Sequence, residues 1–247
     1  MASRPLRLLR LTPVHFCLAL ALALSLQPAE AQTSGAEATL KKPYNILFII
    51  CDQEQYKLLS APGYDLPARD RLSKRGITFR NHYIASAMCS PSRAAILDRQ
   101  RPEHGRSVDH IGHPYVPTLN PAIPTMGSVL KKLGYSTAYF GKFEMDKEIL
   151  TTKDTVNYST ALQPYGFDTF AASGDVGSSP DSGYKNDFFT AGEAVRWLRA
   201  SALKADSDTK PFFLVASFLN PHDIMYANAN MPGEDVQKGL SHSELTY

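Results

Sequence analysis

The chain has 247 residues, which is enough for one large α/β domain or two small ones. Apolar residues make up 43% and charged residues 20% of the sequence, as in ordinary soluble globular proteins. The formal net charge of +2 is too small to favour a nucleic-acid partner. With three cysteines in this length, the chain also falls outside the small scaffolds that disulfides hold together.

The N-terminus has the three-part pattern of a secretory signal peptide, which predicts a secreted or periplasmic protein. Arginines precede an apolar run at residues 16–26, and small residues around Ala31 mark the expected cleavage site. The apolar run is too short for a stable membrane span. We therefore expect a signal peptide over residues 1–31, a short polar tether over 32–42, and a near-neutral folded domain over 43–247.

Two cysteines remain after this cleavage, Cys51 and Cys89. A disulfide between them is conceivable, but it would consume the thiol of Cys89. The triplet that begins at Asn157 fits a glycosylation sequon, which matters only if the host is eukaryotic.

Apolar patterning along the chain predicts strands that alternate with helices. Continuous apolar runs, as expected for strands covered on both faces, occupy residues 44–51, 135–140 and 211–218. Helical spacing occupies residues 66–75, 125–133 and 187–203. A short strand is expected at 77–79 and an irregular loop at 104–124, whereas residues 151–186 show little periodicity.

This alternation is typical of an α/β fold with a mostly parallel sheet and helices on both of its faces. Ligands of such sheets bind beyond the carboxyl ends of the strands. Asp52 follows the first apolar strand, Lys142 follows the second and His222 follows the third. We therefore expect these three side chains to share one edge of the sheet.

The stretch Cys89-Ser90-Pro91-Ser92-Arg93 precedes a run of good helix formers, which predicts a loop that turns into a helix. Cys89 then lies at a helix N-terminus, where free N–H groups and the helix dipole favour an anion. Arg93, one turn further, adds a permanent planar cation that suits oxyanions. Cys89 is thus a candidate nucleophile, although a buried structural cysteine is the alternative on this pattern alone.

The polar residues at the strand ends are each open to two interpretations. Asp52 and Gln53 offer hard oxygen donors that suit Ca²⁺ or Mg²⁺, but Asp52 could instead cap the segment that follows it. Lys142 could reach a bound anion or lie solvated at the surface, and His222 could bind a ligand or stabilise a turn. The other histidines, His110 among them, have no interpretable spacing.

The order of these features resembles the amino-terminal domain of the type I sulfatases. A strand that ends in Asp52 is followed by Cys-x-Pro-Ser-Arg at Cys89, and then by Gly-Lys and Pro-His after later strands. The segment 66–81 is also similar to the helix and strand that precede the cysteine in that family. The resemblance extends over roughly residues 44–230, and it implies the α/β fold of the alkaline-phosphatase superfamily.

The resemblance implies a hydrolase of sulfuric esters, acting on a small sulfate ester or a sulfated glycan. Cys89 would be oxidised by the formylglycine-generating enzyme to formylglycine, whose hydrate would attack the sulfur of the ester. Arg93 would support the charge of this nucleophile, while Lys142 and His222 would hold the sulfate and stabilise developing charge.

The resemblance also implies a divalent cation, usually calcium in this family, with magnesium or manganese as alternatives. Its ligands would be Asp52, Gln53 and the oxygen of the formylglycine made from Cys89. Gln53 occupies the place of a second acidic residue, as in relatives that have Asp-Gln here. Glu144 stands where a histidine on the sulfate side is expected, and a carboxylate there should repel a sulfate dianion.

Two features leave alternatives to an active sulfatase. Leu97-Asp98-Arg99 replaces the Leu-Thr-Gly stretch that helps the maturation enzyme, and the chain stops at Tyr247, before further metal ligands and a smaller domain of the family. We therefore expect an incomplete sulfatase-like catalytic domain. The alternatives are a truncated, non-catalytic relative that binds an anion or a partner, and a phosphoester or phosphonate hydrolase on the same fold.

Overall fold

The computed structural model describes five stretches of the chain, residues 43–57, 61–151, 159–172, 181–202 and 210–226. The predicted signal peptide at 1–31, the tether at 32–42 and the sequon at Asn157 lie outside the described residues. These three expectations therefore stay predictions.

A parallel sheet of four strands forms the centre of the described fold. The strands are β1 (Ile46–Cys51), β2 (Ser136–Gly141), β3 (Thr169–Ala171) and β4 (Phe212–Phe218). Their spatial order is β1-β4-β2-β3, and each neighbouring pair is parallel. The predicted parallel sheet is therefore confirmed, and its three longest strands are the three apolar runs.

Within the described stretches, six α-helices connect and cover these strands. They are α1 (Pro67–Ser73), α2 (Cys89–Asp98), α3 (Pro102–Gly105), α4 (Met126–Lys132), α5 (Lys147–Thr151) and α6 (Ser182–Ala202). Short 3₁₀ turns occupy Gln163–Tyr165 and His222–Tyr226. Thr125 begins α4 with a capping box, because its side chain accepts from the Ser128 N–H while the Ser128 hydroxyl contacts the Thr125 N–H.

Helices pack on both faces of the sheet, as the alternating pattern predicted. On one face, Tyr139 and Val215 belong to a buried cluster that includes Leu97 of α2. On the other face, Phe140 and Leu214 pack with Ala194 of α6 and its neighbours. Because adjacent residues of β2 enter opposite clusters, both faces of this central strand are covered.

Strand β1 is not covered on both faces, so that expectation is wrong. Leu47 and Ile49 alternate with less exposed residues, and each is 48% exposed. They pair in register with Leu214 and Ala216, which lie on the face that α6 covers. The helix packs mainly on β2 and β4, which leaves this face of β1 open to solvent.

Three further predictions of the elements differ from the structure. Residues 77–79 form no strand, and their apolar side chains are exposed. Strand β3 was not predicted, because three residues are too few for a periodic signal. Helix α6 begins five residues before the predicted start at Asp187, where the Asp223 carboxylate accepts hydrogen bonds from the N–H groups of Gly183 and Tyr184.

The carboxyl ends of β1, β2 and β4 meet at one edge of the sheet, as predicted. The Asp52 N–H donates to the Phe218 carbonyl, and the Lys142 N–H donates to the Ser217 carbonyl. The carboxylate of Asp187 accepts from the N–H groups of Leu219 and Asn220, which fixes the segment between β4 and His222.

Candidate active site

Cys89 is the first residue of helix α2, as the local sequence predicted. Its neighbour Ser90 is buried and accepts a hydrogen bond of 3.0 Å from the Ile111 N–H, which fastens the helix start to the loop after α3. Both Cys51 and Cys89 carry free thiols, so the conceivable disulfide between them does not form. The cysteine is therefore available for chemistry.

Arg93 connects the ends of three strands through one buried guanidinium. Its Nη1 donates to the Lys142 carbonyl and to the Ser217 hydroxyl, each over 2.7 Å, and its Nη2 donates to Asp52 Oδ2 over 3.0 Å. Burial disfavours this charge, but Tyr139 and Asp52 outweigh burial and raise the pKa of Arg93. Arg93 is thus a fixed cation, one turn from Cys89.

Lys142 adds a second buried cation at the same place, with 2% of its surface exposed. Its Nζ lies 2.8 Å from Asp52 Oδ2 and 3.2 Å from Glu144 Oε2. Burial would lower the pKa of Lys142, but the charges of Glu144 and Asp52 raise it instead. For Asp52, burial raises the pKa, but Arg93 and Lys142 outweigh burial and lower it, so Asp52, Arg93 and Lys142 stabilise one another in their charged forms.

Glu144 is fully buried beside this cluster, with a left-handed backbone at φ 55°. Its Oε1 lies 3.0 Å from Nε2 of His110. The other ring nitrogen, Nδ1, accepts a hydrogen bond of 3.0 Å from the Gly112 N–H. Because Nδ1 accepts, the ring proton lies on Nε2, which donates to Glu144.

His110 could not be found from the sequence, because it lies in an irregular loop without periodicity and far from the other site residues along the chain. Ser217 was missed for a different reason. It lies inside an apolar strand, and only its register opposite Gly141 brings its hydroxyl to Arg93. Neither residue carries a sequence signal that could have found it.

The Cys89 thiol is not activated, which corrects the expectation drawn from its helix N-terminus. Burial, followed by the charge of Glu144, raises the pKa of Cys89 to about 12, although Lys142 acts in the opposite direction. The thiol sulfur and a carboxylate oxygen of Glu144 lie within 4.8 Å of each other. At neutral pH this cysteine is therefore a protonated thiol and a poor nucleophile.

Two predicted site residues lie apart from these contacts or at their margin. Gln53 is exposed beside Asp52, with φ 57°, and does not join the described contacts that link Asp52, Arg93 and Lys142. His222 is buried, and its pKa is lowered first by burial and then by the charge of Lys142. Both effects disfavour the protonated imidazole, so His222 is neutral at physiological pH.

The residues predicted to bind a divalent cation fit such an ion only in part. Calcium takes six to eight oxygen ligands, whereas Asp52 already directs Oδ2 at two cations and Gln53 faces solvent. Among the described residues, Cys89, His110 and Glu144 hold potential ligand atoms within 4.8 Å of one another. This mixed sulfur, nitrogen and oxygen set suits a softer ion than calcium.

The sequence profile of the Sulfatase family matches residues 44–244. The chain belongs to the Sulfatase family. It is 27% identical over 198 residues to the Δ4,5-hexuronate-2-O-sulfatase of Bacteroides thetaiotaomicron, an alignment that covers 77% of this chain and 37% of that protein. The chain thus spans less than half the length of this curated relative.

Two solved structures share the fold of this chain. A 2-O glycosaminoglycan sulfatase matches 77% of this chain and 39% of its own, with a TM-score of 0.56 and 24% identity. The phosphonate monoester hydrolase of Agrobacterium radiobacter matches 73% of this chain and 41% of its own, with a TM-score of 0.51 and 19% identity. The chain therefore shares the α/β fold of these two hydrolases, as the resemblance implied.

No helix within the described stretches is long and apolar enough to cross a membrane.

Proposed function

We propose that this sulfatase is a secreted hydrolase of sulfate esters, with Cys89 oxidised to formylglycine. The observation that carries the proposal is the pair of buried cations, Arg93 and Lys142, at the helix start that presents residue 89. An anionic ester bound there meets two charges that are already desolvated and held in place. The family membership supplies the class of reaction.

The modified residue supplies one element of the chemistry, a hydroxyl of the aldehyde hydrate that attacks sulfur. The chain's own groups bind and orient the substrate around it. The Lys142 ammonium and the N–H groups at the start of α2 attract the sulfate oxygens. Neutral His222 offers a ring N–H to the ester and adds no charge that would compete with Lys142.

Arg93 acts by holding the surrounding groups in position. It fixes the Asp52 carboxylate, the Lys142 carbonyl and the Ser217 hydroxyl in one hydrogen-bonded unit. Because this unit is formed before a substrate arrives, no side chain needs to reorganise as charge develops on sulfur.

The proposed metal is a divalent cation, calcium by family resemblance, with magnesium and manganese as alternatives. Asp52 would hold it, together with Gln53 and the oxygen of residue 89, and the ion would polarise the sulfate oxygens. The described residues supply only part of the oxygen shell that this ion needs. Arg93 and Lys142 are held in place by contacts within the protein, so their binding roles do not depend on the ion.

The proposed substrates are a small sulfate ester or the sulfate group of a glycan. The hexuronate-2-O-sulfatase and the glycosaminoglycan sulfatase named above support this class by similarity. The proposed partner in maturation is the formylglycine-generating enzyme. Export through the predicted signal peptide at 1–31 would place the protein outside the cytoplasm, where extracellular sulfate esters are found.

Hydrolysis of an aryl sulfate by the exported protein, produced with the maturation enzyme, tests the proposal. We expect sulfate release from the wild type and none from Cys89→Ser, because the variant lacks the thiol that is oxidised. Cys51→Ser is the matched control, since it removes the other free cysteine of the described chain and should keep the activity.

The likeness to the phosphonate monoester hydrolase supports a second candidate, hydrolysis of a phosphonate or phosphate ester. These substrates are tetrahedral oxyanions that the same two cations could bind. Faster release from a phosphonate than from a sulfate ester would favour this candidate. Binding of sulfate without turnover of either ester would instead favour a non-catalytic relative.

A further inference from the structure

We propose that the loop after α3 binds a pyranose ring next to the sulfate ester, through the stacked rings of His113 and Tyr115 and the carboxylate of Asp109. The two rings are called the aromatic platform below. The inference deepens the proposed function and rests on it, because it takes an ester bound at residue 89 as its starting point. It selects a sulfated glycan, rather than an aryl or alkyl sulfate, as the class of substrate.

The first observation is a pair of exposed aromatic rings that lie almost parallel. The rings of His113 and Tyr115 are stacked, with centroids 5.3 Å apart and an angle of 13° between their planes. Tyr115 is 66% exposed, and the His113 side chain is about half exposed. The aromatic platform is therefore open to a ligand and takes no part in the core.

The second observation is that the aromatic platform adjoins the candidate active site. The His113 ring lies 6.3 Å from the His110 ring, at nearly a right angle to it. A ring nitrogen of His110 lies in turn within 4.8 Å of the Cys89 sulfur. His110 thus links the aromatic platform to residue 89, and the part of a substrate beyond its sulfate group comes within reach of both rings.

The third observation is a carboxylate that holds the aromatic platform in place. Asp109 Oδ2 accepts a hydrogen bond from the Tyr115 hydroxyl, and Oδ1 lies 3.7 Å from Nε2 of His113. Oδ1 also accepts a hydrogen bond of 2.7 Å from the His110 N–H. A carboxylate has about four lone-pair positions, so the partly exposed Asp109 keeps acceptor capacity for the hydroxyl groups of a ligand.

The loop that carries the aromatic platform is fastened on both sides of it. The Ile111 N–H donates to a buried serine hydroxyl of α2 over 3.0 Å. Lys147 Nζ donates to the carbonyls of His113 and Pro114 over 3.1 and 3.2 Å. Ile111 and Val116, which flank the platform, are buried. Because these contacts are formed before a ligand arrives, binding loses little further conformational freedom.

This combination of groups suits a pyranose ring better than it suits the other ester groups. One face of a pyranose presents C–H groups that pack on an aromatic ring, while its rim presents hydroxyl donors. An aryl or alkyl group could cover the rings, but it would take water from Asp109 without supplying a donor, which is unfavourable. The carboxylate therefore decides between the two kinds of ligand.

The first test compares sugar sulfates with an aryl sulfate, using protein made with the maturation enzyme. The sugar esters are N-acetylglucosamine 6-sulfate, N-acetylgalactosamine 6-sulfate and a 2-O-sulfated heparin disaccharide, and the aryl ester is 4-nitrophenyl sulfate. The ratio of kcat/KM for the best sugar ester to kcat/KM for the aryl ester is the readout. Tyr115→Ala should lower this ratio about tenfold, mainly through KM, because stacking on one aromatic side chain contributes a factor of this order.

Tyr44→Ala is the matched control, since Tyr44 is an exposed tyrosine that precedes β1, at the opposite end of the strand from Asp52. It should leave the ratio as in the wild type. An unchanged ratio in Tyr115→Ala would overturn the inference. Hydrolysis of 4-nitrophenyl sulfate but of none of the sugar esters would overturn it as well.

Two further variants keep the test decisive if Tyr115→Ala fails to fold. Tyr115→Phe keeps the ring and loses only the hydrogen bond to Asp109, so it should retain more of the ratio than Tyr115→Ala. His113→Ala removes the second ring and should lower the ratio about threefold or more. A wild-type ratio in His113→Ala, or equal ratios in the two Tyr115 variants, would contradict stacking.

The second test measures binding without turnover. Saturation-transfer NMR is recorded for the same sugar esters with the thiol form, which is made without the maturation enzyme. The C–H protons of one ring face should receive saturation from the wild type and from Tyr44→Ala, and much less from Tyr115→Ala. Equal transfer from all three proteins would overturn the inference.

The two tests separate this inference from the proposed function. A converted wild type that hydrolyses no ester would contradict the proposed function, while saturation transfer that depends on Tyr115 would still support the sugar subsite. Hydrolysis of esters with an unchanged ratio in Tyr115→Ala would overturn the subsite and leave the proposed function standing.

Discussion

Arg93 contributes more to this site through its three hydrogen bonds than through its charge alone. The guanidinium reaches groups that follow β1 and β2 and a hydroxyl within β4, and its surface is 4% exposed. Lysine cannot reproduce this planar set of donors, since its ammonium is a single point charge. The residue should therefore matter for stability as well as for activity.

Replacing Arg93 tests this role. Arg93→Ala should lower the free energy of unfolding by about 3 kcal/mol, because Asp52 then loses one of its two buried cations. Arg93→Lys should cost less, about 1–2 kcal/mol, since it keeps the charge but loses hydrogen bonds. Urea denaturation measures both. Arg196→Ala, which removes an exposed ion pair with Glu193, is the control and should change the free energy of unfolding little. A loss of stability in Arg196→Ala equal to that in Arg93→Ala would contradict the stabilising role of Arg93.

His222 should remain neutral under mildly acidic conditions. Burial and then the charge of Lys142 lower its pKa below the ordinary value of 6.5. The unfolded chain therefore binds a proton more readily, so His222 makes stability fall as pH drops below about 6.5 toward the folded-state pKa. An NMR titration of the imidazole should give a midpoint below 6.5. A midpoint at or above that value would be inconsistent with a buried ring beside Lys142.

At the scale of residues, the sequence predicted positions better than it predicted chemical states. Cys89 at a helix start follows from its immediate neighbours, so its position was predictable. The pKa of its thiol depends first on burial and then on the charge of Glu144, which lies far along the chain, so the expected activation was wrong. The contact of His110 with Glu144 depends on the path of a loop, which local patterns do not determine.

Strand β2 ends in a glycine that the packing requires. Gly141 has φ +94°, and a Cβ there would lie 2.0 Å from the Ser217 carbonyl oxygen of β4. Gly134, before the same strand, has φ +88° with no atom within 4 Å of an added Cβ. The two glycines therefore share a backbone conformation but differ in the space around them.

Alanine at each glycine separates backbone strain from steric conflict. Gly134→Ala should lower the free energy of unfolding by about 1–2 kcal/mol, because only the left-handed backbone conformation disfavours alanine there. Gly141→Ala should lower the free energy of unfolding by about 2 kcal/mol more than Gly134→Ala does, since the adjacent strand must also move. Thermal or urea unfolding of both variants provides the measurement. Similar losses of stability in the two variants would show that β4 shifts to accommodate the added Cβ at little energetic cost.

At the scale of elements, the longest strands and helices were predictable, because their apolar residues repeat over a full element. The start of α6 was not, since it depends on the carboxylate of Asp223, which comes from the far side of β4. The apolar residues at 77–79 suggested a strand, but the structure leaves them exposed and unpaired with the described sheet. Hydrophobicity alone does not determine which apolar segments find a partner.

At the scale of the whole molecule, the described sheet has β1 at one edge. Leu47 and Ile49 expose half of their surface along this edge strand. Apolar edge strands are sites of association between chains. The same face of the sheet is covered by α6 over the neighbouring strands.

We expect the double substitution Leu47→Lys and Ile49→Lys to reduce self-association, because charges on an edge strand oppose pairing. Light scattering over a range of protein concentrations measures this change. Leu72→Lys, which alters an exposed leucine of α1, is the matched control and should leave the association unchanged. Equal behaviour of all three proteins would show that β1 is not the associating edge.

The measurement that tests the proposed chemistry most directly is the mass of the peptide that carries Cys89, taken from exported protein made with the maturation enzyme. Hydrolysis through formylglycine requires a peptide about 18 Da lighter than the thiol form, and we expect that mass in the wild type. An intact thiol under these conditions would contradict the proposed hydrolase, since the pKa of Cys89 leaves that thiol protonated at neutral pH.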